Sequence, residues 1–185
     1  MSEQVTAALD EFVQRYLTAA KSHPEMLMVE YDSDWPSECL TISGNPGDRV
    51  NWQPIKRSGI ANFNDLETAL EIKIHQDIIS FYSAYWSDNL SAETNKGYLQ
   101  LLQPWNQSDF ERLQQNLVGH TLMKRRLKQP ETFFIALTDE DDFILTVHNT
   151  SGEVMLEQVG LLPKEVVAPN LAEFIQSIQP SVAKV

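Results

Sequence analysis

Three β-rich runs near the C-terminus, "TFFIAL", "FILTVHN" and "EVMLEQV", are separated only by "TDEDD" and "TSG", and this constrains the fold more than any other feature. Runs of β-branched, aromatic and aliphatic residues joined by such short polar connectors can pair only as hairpins. The spacing therefore predicts a three-strand antiparallel meander. Ahead of it, "EQVTAALDEFVQRYLTAAK" places Val5, Ala8, Leu9, Phe12, Val13, Tyr16 and Leu17 on one helical stripe, so the chain opens with a core-packed helix. His23-Pro24 ends that helix, and an acidic, irregular stretch is expected up to Pro36.

The middle of the chain alternates elements less regularly. "CLTIS" and "VNWQPIK" read as two short strands around the turn-rich "GNPGD", with Pro54 confining the second to a sheet edge. "HQDIISFYSAYW" reads as a helix, "SDNLSAETNKG" as a polar loop and "YLQLLQPW" as a strand. Three helix starts carry a capping side chain with Glu three residues later: "NDLE" with Asn64 as cap, "SDFE" opening 108–127, and "NLAE" opening 170–178. Helices and antiparallel strands in separate blocks give an α+β fold: an antiparallel sheet with the C-terminal meander, packed by several helices. With 185 residues, 42% of them hydrophobic, a single domain spanning 1–185 is expected. The acidic N-terminus lacks the layout of a signal peptide, no apolar run is long enough to cross a bilayer, and Cys39 is the single cysteine. A protein kept in the reducing cytosol is the expectation.

Charge distribution bears most directly on function. There are 26 acidic and 14 basic residues, a net charge of −12, which repels nucleic acid and anionic membranes and favours a cationic partner. Half of the acids fall in two stretches without Lys or Arg. Residues 22–48 hold Glu25, Glu30, Asp32, Asp34, Glu38 and Asp48; residues 129–163 hold Glu131, Asp139, Glu140, Asp141, Asp142, Glu153 and Glu157. "DEDD" at 139–142 lacks the alternate acids, central Gly and closing Glu of a calcium loop, so a solvated hairpin tip is the simpler reading. His23, His75, His120 and His148 form no ligand or base spacing, and no Gly-rich phosphate loop is present. These patterns call for no metal, no cofactor and no catalytic residue. The basic run Lys124, Arg125, Arg126 and Lys128 at the end of a helix admits three roles: offsetting the helix dipole, contacting nucleic acid, or pairing within the molecule with one acidic stretch.

From residue 98 onward, "YLQLLQPWNQSDFERLQQNLVGHTLMKRRLKQPETFFIALTDEDDFILTVHNTSGEVMLEQVG" followed by "APNLAEFI" closely resembles the Syd family of SecY-interacting proteins of gamma-proteobacteria, part of the SUKH superfamily. "PSECLTIS", "VNWQP" and "ALEIKIHQDIISFY" extend the resemblance over nearly the whole chain, with "LVGH" and "NTSGEV" standing where the family has "LIGH" and "NLSGEV". The resemblance implies a non-enzymatic monomer, held loosely at the cytoplasmic face of the inner membrane through SecY alone. It also implies a role in sequestering uncomplexed SecY or restraining the translocase. An immunity-type protein that neutralises a toxin domain is the alternative, because the superfamily contains such proteins. Basic cytoplasmic loops of an inner-membrane protein suit an acidic binder. The expected contact is one acidic surface built from Glu30, Asp32, Asp34, Glu38, Asp88, Asp139, Glu140, Asp141, Asp142 and Glu153, edged by Trp35 or Trp105.

Overall fold

A computed structural model describes residues 2–183. Helix α1 (Glu3–Ala20) starts where the Ser2 hydroxyl accepts from Val5 N, and it buries Val5, Ala8, Leu9, Phe12, Val13 and Tyr16 as the stripe requires. Leu17 packs half-buried beside them. The chain then makes a 3₁₀ turn at Pro24–Leu27 and a short strand β1 (Met28–Glu30), so only part of the 22–36 stretch is irregular. β1 pairs antiparallel with β2 (Arg49–Asn51). "CLTIS" is not a strand: Leu40 makes a single bridge to Trp52, flanked by hydrogen bonds from Thr41 N to Asn51 O and from Gln53 N to Cys39 O, and the pairing extends no further. Pro54 divides the second run, and β3 (Ile55–Lys56) pairs instead with β4 (Tyr85–Trp86).

Seven strands form the main antiparallel sheet in the order β10-β9-β8-β7-β6-β5-β11, with β5 (Leu90–Thr94), β6 (Gly97–Leu101), β7 (Thr132–Thr138), β8 (Phe143–His148), β9 (Val154–Gln158), β10 (Pro163–Ala168) and β11 (Gln179–Pro180). The meander β7-β8-β9 is the one expected, with Leu145 opposite Ala136 on one side and Leu156 on the other. The polar segment 87–97 holds β5, contrary to its reading as a loop. Leu90 and Ala92 are fully buried while Glu93 faces out, a short alternation whose apolar half is too small to register among its polar neighbours. β10 and β11 also escaped the sequence reading.

Helix α4 (Gln107–Arg126) covers the sheet face that carries Thr132, Phe134 and Thr146. Phe174 of α5 (Leu171–Ser177) lies by Leu145 and Leu156 on the opposite face, and α1 packs on α5 and on α3 (Gln76–Ser83). One apolar core runs from α1 through both sheet faces to α4. Helix caps differ from the sequence reading at two of three sites. α2 (Asn64–Leu70) begins after Phe63, with Asn62 rather than Asn64 supplying an acceptor, to the Asn64 N–H. α4 is capped by Asn106, which accepts from Asp109 N at 2.8 Å, so Ser108 already lies inside the helix. Asn170 caps α5 as expected. No helix among the described residues is long and apolar enough to cross a membrane.

Candidate functional site

The acidic loop after β1 is stitched to the start of α4. Asp32 Oδ1 accepts from Asp34 N and Asp32 O accepts from Trp35 N, which folds the loop back on itself. Ser37 Oγ donates to Trp105 O at 2.6 Å, Trp105 Nε1 donates to Trp35 O at 3.1 Å, and Asn106 Nδ2 donates to Pro36 O at 2.7 Å. Asn106 thus caps α4 with its oxygen and clamps the loop with its nitrogen. Trp105 is buried edge-on against Trp52, with ring centroids 6.1 Å apart. One turn into α4, Asp109 accepts from Trp105 N through Oδ2 and from Arg112 Nη2 through Oδ1, each at 2.9 Å. The Arg112 guanidinium sits 5.2 Å from the centroid of the Trp35 ring.

These contacts leave an open cleft of about 330 Å³ between the loop, α4 and the sheet. Glu30, Asp32, Asp88 and Asp109 line it with Arg112 as the one lining cation among the described residues, while Val29, Leu40, Leu102, Leu113 and Phe134 supply apolar walls. Asp88 lies deepest. Burial pushes its carboxyl above the usual carboxylate range, the Asn89 N–H partly offsets this, and the nearby Asp109 charge adds to it. Several carboxylates held beside aromatic and aliphatic walls attract a cation with an apolar stem, such as Arg or Lys. Among the described residues neither His nor Cys lines the cleft. Cys39 is buried elsewhere in the core, where burial pushes its thiol up to about 11 despite the opposing Ser37 hydrogen bond. Among the described residues no group of three or more His, Cys, Asp and Glu is arranged to hold a metal.

Of the residues expected to form one acidic surface, the cleft brings together Glu30, Asp32, Asp88, Trp35 and Trp105. Asp34 is exposed on the same loop, and Glu38 borders an adjoining depression with Pro36, Trp86 and Trp105. The rest lie elsewhere. Asp139–Asp142 form the exposed β7-β8 tip, and Asp139 and Glu140 line a second cleft of about 380 Å³ that opens on the α5 side of the sheet. Glu153 sits in the β8-β9 turn, bonded by Ser151 Oγ at 2.9 Å. In a meander, successive turns fall at opposite ends of the shared strand, here the six residues of β8, roughly 20 Å. The single surface expected from the charge map is therefore divided by the sheet. Asp109, Arg112 and Gln103 line the cleft without having been singled out; the only local signal was an Asp-x-x-Arg pair in the first turns of a helix, which reads equally well as helix stabilisation.

The basic run has its intramolecular role. Lys124 points inward and is fully buried, its Nζ 3.2 Å from Oε1 of the equally buried Glu157. Thr132 Oγ1 lies 2.9 Å from Glu157 Oε1, and His120 Nε2 lies 3.5 Å from Oε2. Arg125 Nε pairs with Glu131 at 3.0 Å. Both acids belong to the second acid-only stretch.

A family model described as Syd protein (SUKH-2) matches residues 6–180. Protein Syd of Pseudoalteromonas atlantica is 54% identical over 183 residues, 98% of each chain. Protein Syd of Alteromonas mediterranea is 48% identical over 97% of this chain and 98% of its own length. Protein Syd of Shewanella frigidimarina is 42% identical over 96% of this chain and 83% of its own.

Proposed function

This chain belongs to the Syd family, and from that premise we propose that it is a non-enzymatic binder of SecY, acting as a monomer at the cytoplasmic face of the inner membrane. It binds uncomplexed SecY in preference to assembled translocase, and so sequesters excess SecY or restrains translocation. Its contact with the membrane runs through SecY. The observation that carries the reading is the cleft itself: four carboxylates from three distant segments converge beside Trp35 and Trp105.

Cytoplasmic loops of inner-membrane proteins are enriched in Lys and Arg. An exposed ion pair contributes only about 0.2–1 kcal/mol, and salt screens it over about 8–10 Å. Charge alone therefore steers encounter, while the apolar walls and the partly buried Asp88 and Asp109 supply specific affinity. The β7-β8 tip and Glu153 contribute long-range attraction rather than the same contact.

Capture of SecY from solubilised membranes, with salt titrated and complexed compared with uncomplexed translocon, tests the reading. Wild-type protein should retain uncomplexed SecY at low salt and release it as salt rises. A Glu30→Lys, Asp32→Lys variant alters two exposed side chains and should lose capture; an Asp141→Lys, Asp142→Lys variant should weaken it only modestly. Capture indifferent to salt and to both variants would overturn the proposal.

A further inference from the structure

The second cleft, on the α5 face of the sheet, is shaped by its edge strand β10. Two bulges interrupt the pairing of β10 with β9, one between Pro163 and Glu165 and one between Val166 and Ala168. Both inserted residues, Lys164 and Val167, line the cleft. A bulged strand bends and twists more than a regular one, and it re-aims its side chains. Glu165 shows the result: its Oε2 lies 3.1 Å from Lys96 Nζ in the β5-β6 turn. In the sheet order β6 and β10 are separated by β7, β8 and β9, roughly 19 Å if the sheet were flat, which is further than a lysine and a glutamate reach together. The end of the sheet therefore curls over its α5 face, and the Lys96–Glu165 pair crosses the mouth of the trough.

Inside, the trough is apolar and rich in rings. Leu99, Leu145 and Phe174 are buried and form its floor, while Tyr98, Phe143 and Leu156 are half-buried and form its walls. The neighbouring polar groups are turned back into the protein. Thr138 Oγ1 donates to Phe143 O at 2.9 Å, Ser177 Oγ donates to Phe174 O at 2.7 Å, and Asp139 Oδ2 accepts from Tyr98 N at 3.2 Å. A guest thus meets apolar area and aromatic faces rather than directional hydrogen bonds. Charge of both signs sits at the rim, Lys96 and Lys164 among Asp139, Glu140 and Glu165, with Lys164 Nζ 5.2 Å from the centre of the Phe143 ring.

We propose that this trough is a binding site for a small, uncharged aromatic molecule of one or two fused rings, seated among Tyr98, Phe143 and Phe174. Size favours a small molecule over a protein. The volume of about 380 Å³ lies within the roughly 300–1,000 Å³ of ligand cavities. A stable protein interface covers about 800 Å² on each partner, and the ion pair across the mouth leaves no open course for a strand or helix. Offset and edge-to-face contacts with the three rings favour an aromatic guest. Entry parts the Lys96–Glu165 pair, which is exposed and therefore weak. The site is separate from the acidic cleft and does not depend on the SecY reading.

The probes are indole and purine, bicyclic rings of similar shape, titrated into the full chain and followed by methyl NMR. Indole should shift the Leu99, Leu145, Leu156 and Val167 methyl groups saturably, and added salt should leave its affinity unchanged. Purine should bind at least about tenfold more weakly, because its ring nitrogens lose water against apolar walls. Val167→Trp and Leu156→Trp fill the trough and should abolish binding at an unchanged urea midpoint. Lys96→Ala alters a side chain that is 63% exposed, so the fold is not at stake; it should speed both entry and exit of indole while affinity stays within about fivefold. Shifts that do not saturate or that scatter through the core, equal binding of purine, or binding that survives in correctly folded Val167→Trp would overturn the site. Indole that competes with SecY capture would make the trough the seat of a partner's aromatic side chain and would overturn the small-molecule assignment.

Discussion

Replacing Lys124 by Met should destabilise the fold severely, although Lys124 belongs to a run that reads as a solvated helix end. Lys124 and Glu157 are both 0% exposed in their side chains, with Nζ and Oε1 3.2 Å apart. Removing the cation leaves the Glu157 carboxylate buried with the Thr132 and Thr146 hydroxyls and the nearly buried His120 ring as its remaining partners. Breaking one side of such a pair costs about 3–5 kcal/mol, because an uncompensated charge stays behind in a low-dielectric site. Against a typical total of about 5–15 kcal/mol, that is about a fifth of the stability or more. With a urea dependence of about 2 kcal/mol per molar, the unfolding midpoint should fall by about 2 M. The double variant Lys124→Met, Glu157→Leu removes both charges at similar volume and should recover most of the loss, since buried pairs often contribute little relative to an apolar replacement. Equilibrium urea unfolding followed by tryptophan fluorescence and far-UV circular dichroism measures both. A Lys124→Met midpoint within about 0.5 M of wild type, or a double variant as unstable as the single one, would refute the argument.

Three further outcomes are expected. Burial holds the His120 imidazole below its usual range, against the pull of Glu157 and with the push of Lys124, so the unfolded chain takes up that proton first. The contribution is complete above about pH 6.5 and is lost as pH falls toward the lowered folded value; His120→Gln should flatten urea midpoints across that window, and an unchanged slope would count against it. Cys39, 1% exposed with its thiol pushed up to about 11, should react with Ellman's reagent only as fast as the fold opens, and reaction at the rate of a free thiol would contradict its burial. Asn106→Ala should cost about 1 kcal/mol, up to about 2, through loss of the α4 cap, while Ser108→Ala should cost under about 0.5; equal costs in urea melts would show that the cap was misassigned.

The α1 stripe, the β7-β8-β9 meander and the Asn170 cap were all legible in the chain because each depends on residues close in sequence: a helical period, a strand alternation, a side chain reaching its own first turn. Family membership was legible for the same reason, carried by contiguous text. Other features required the partner to be in place. β5 is a strand because β6 and β11 flank it, and nothing in "SDNLSAETNKG" announces them. Lys124 is buried because Glu157, thirty-three residues further on, projects from the sheet that α4 covers. Charge counting found both acid-only stretches and gave them one surface, but the direction of a meander sends alternate turns to opposite ends and its two faces to opposite sides. Only tertiary structure could select Glu30, Asp32, Asp88 and Asp109 from 26 acids, since what unites them is a cleft enclosed by three segments that sequence keeps apart.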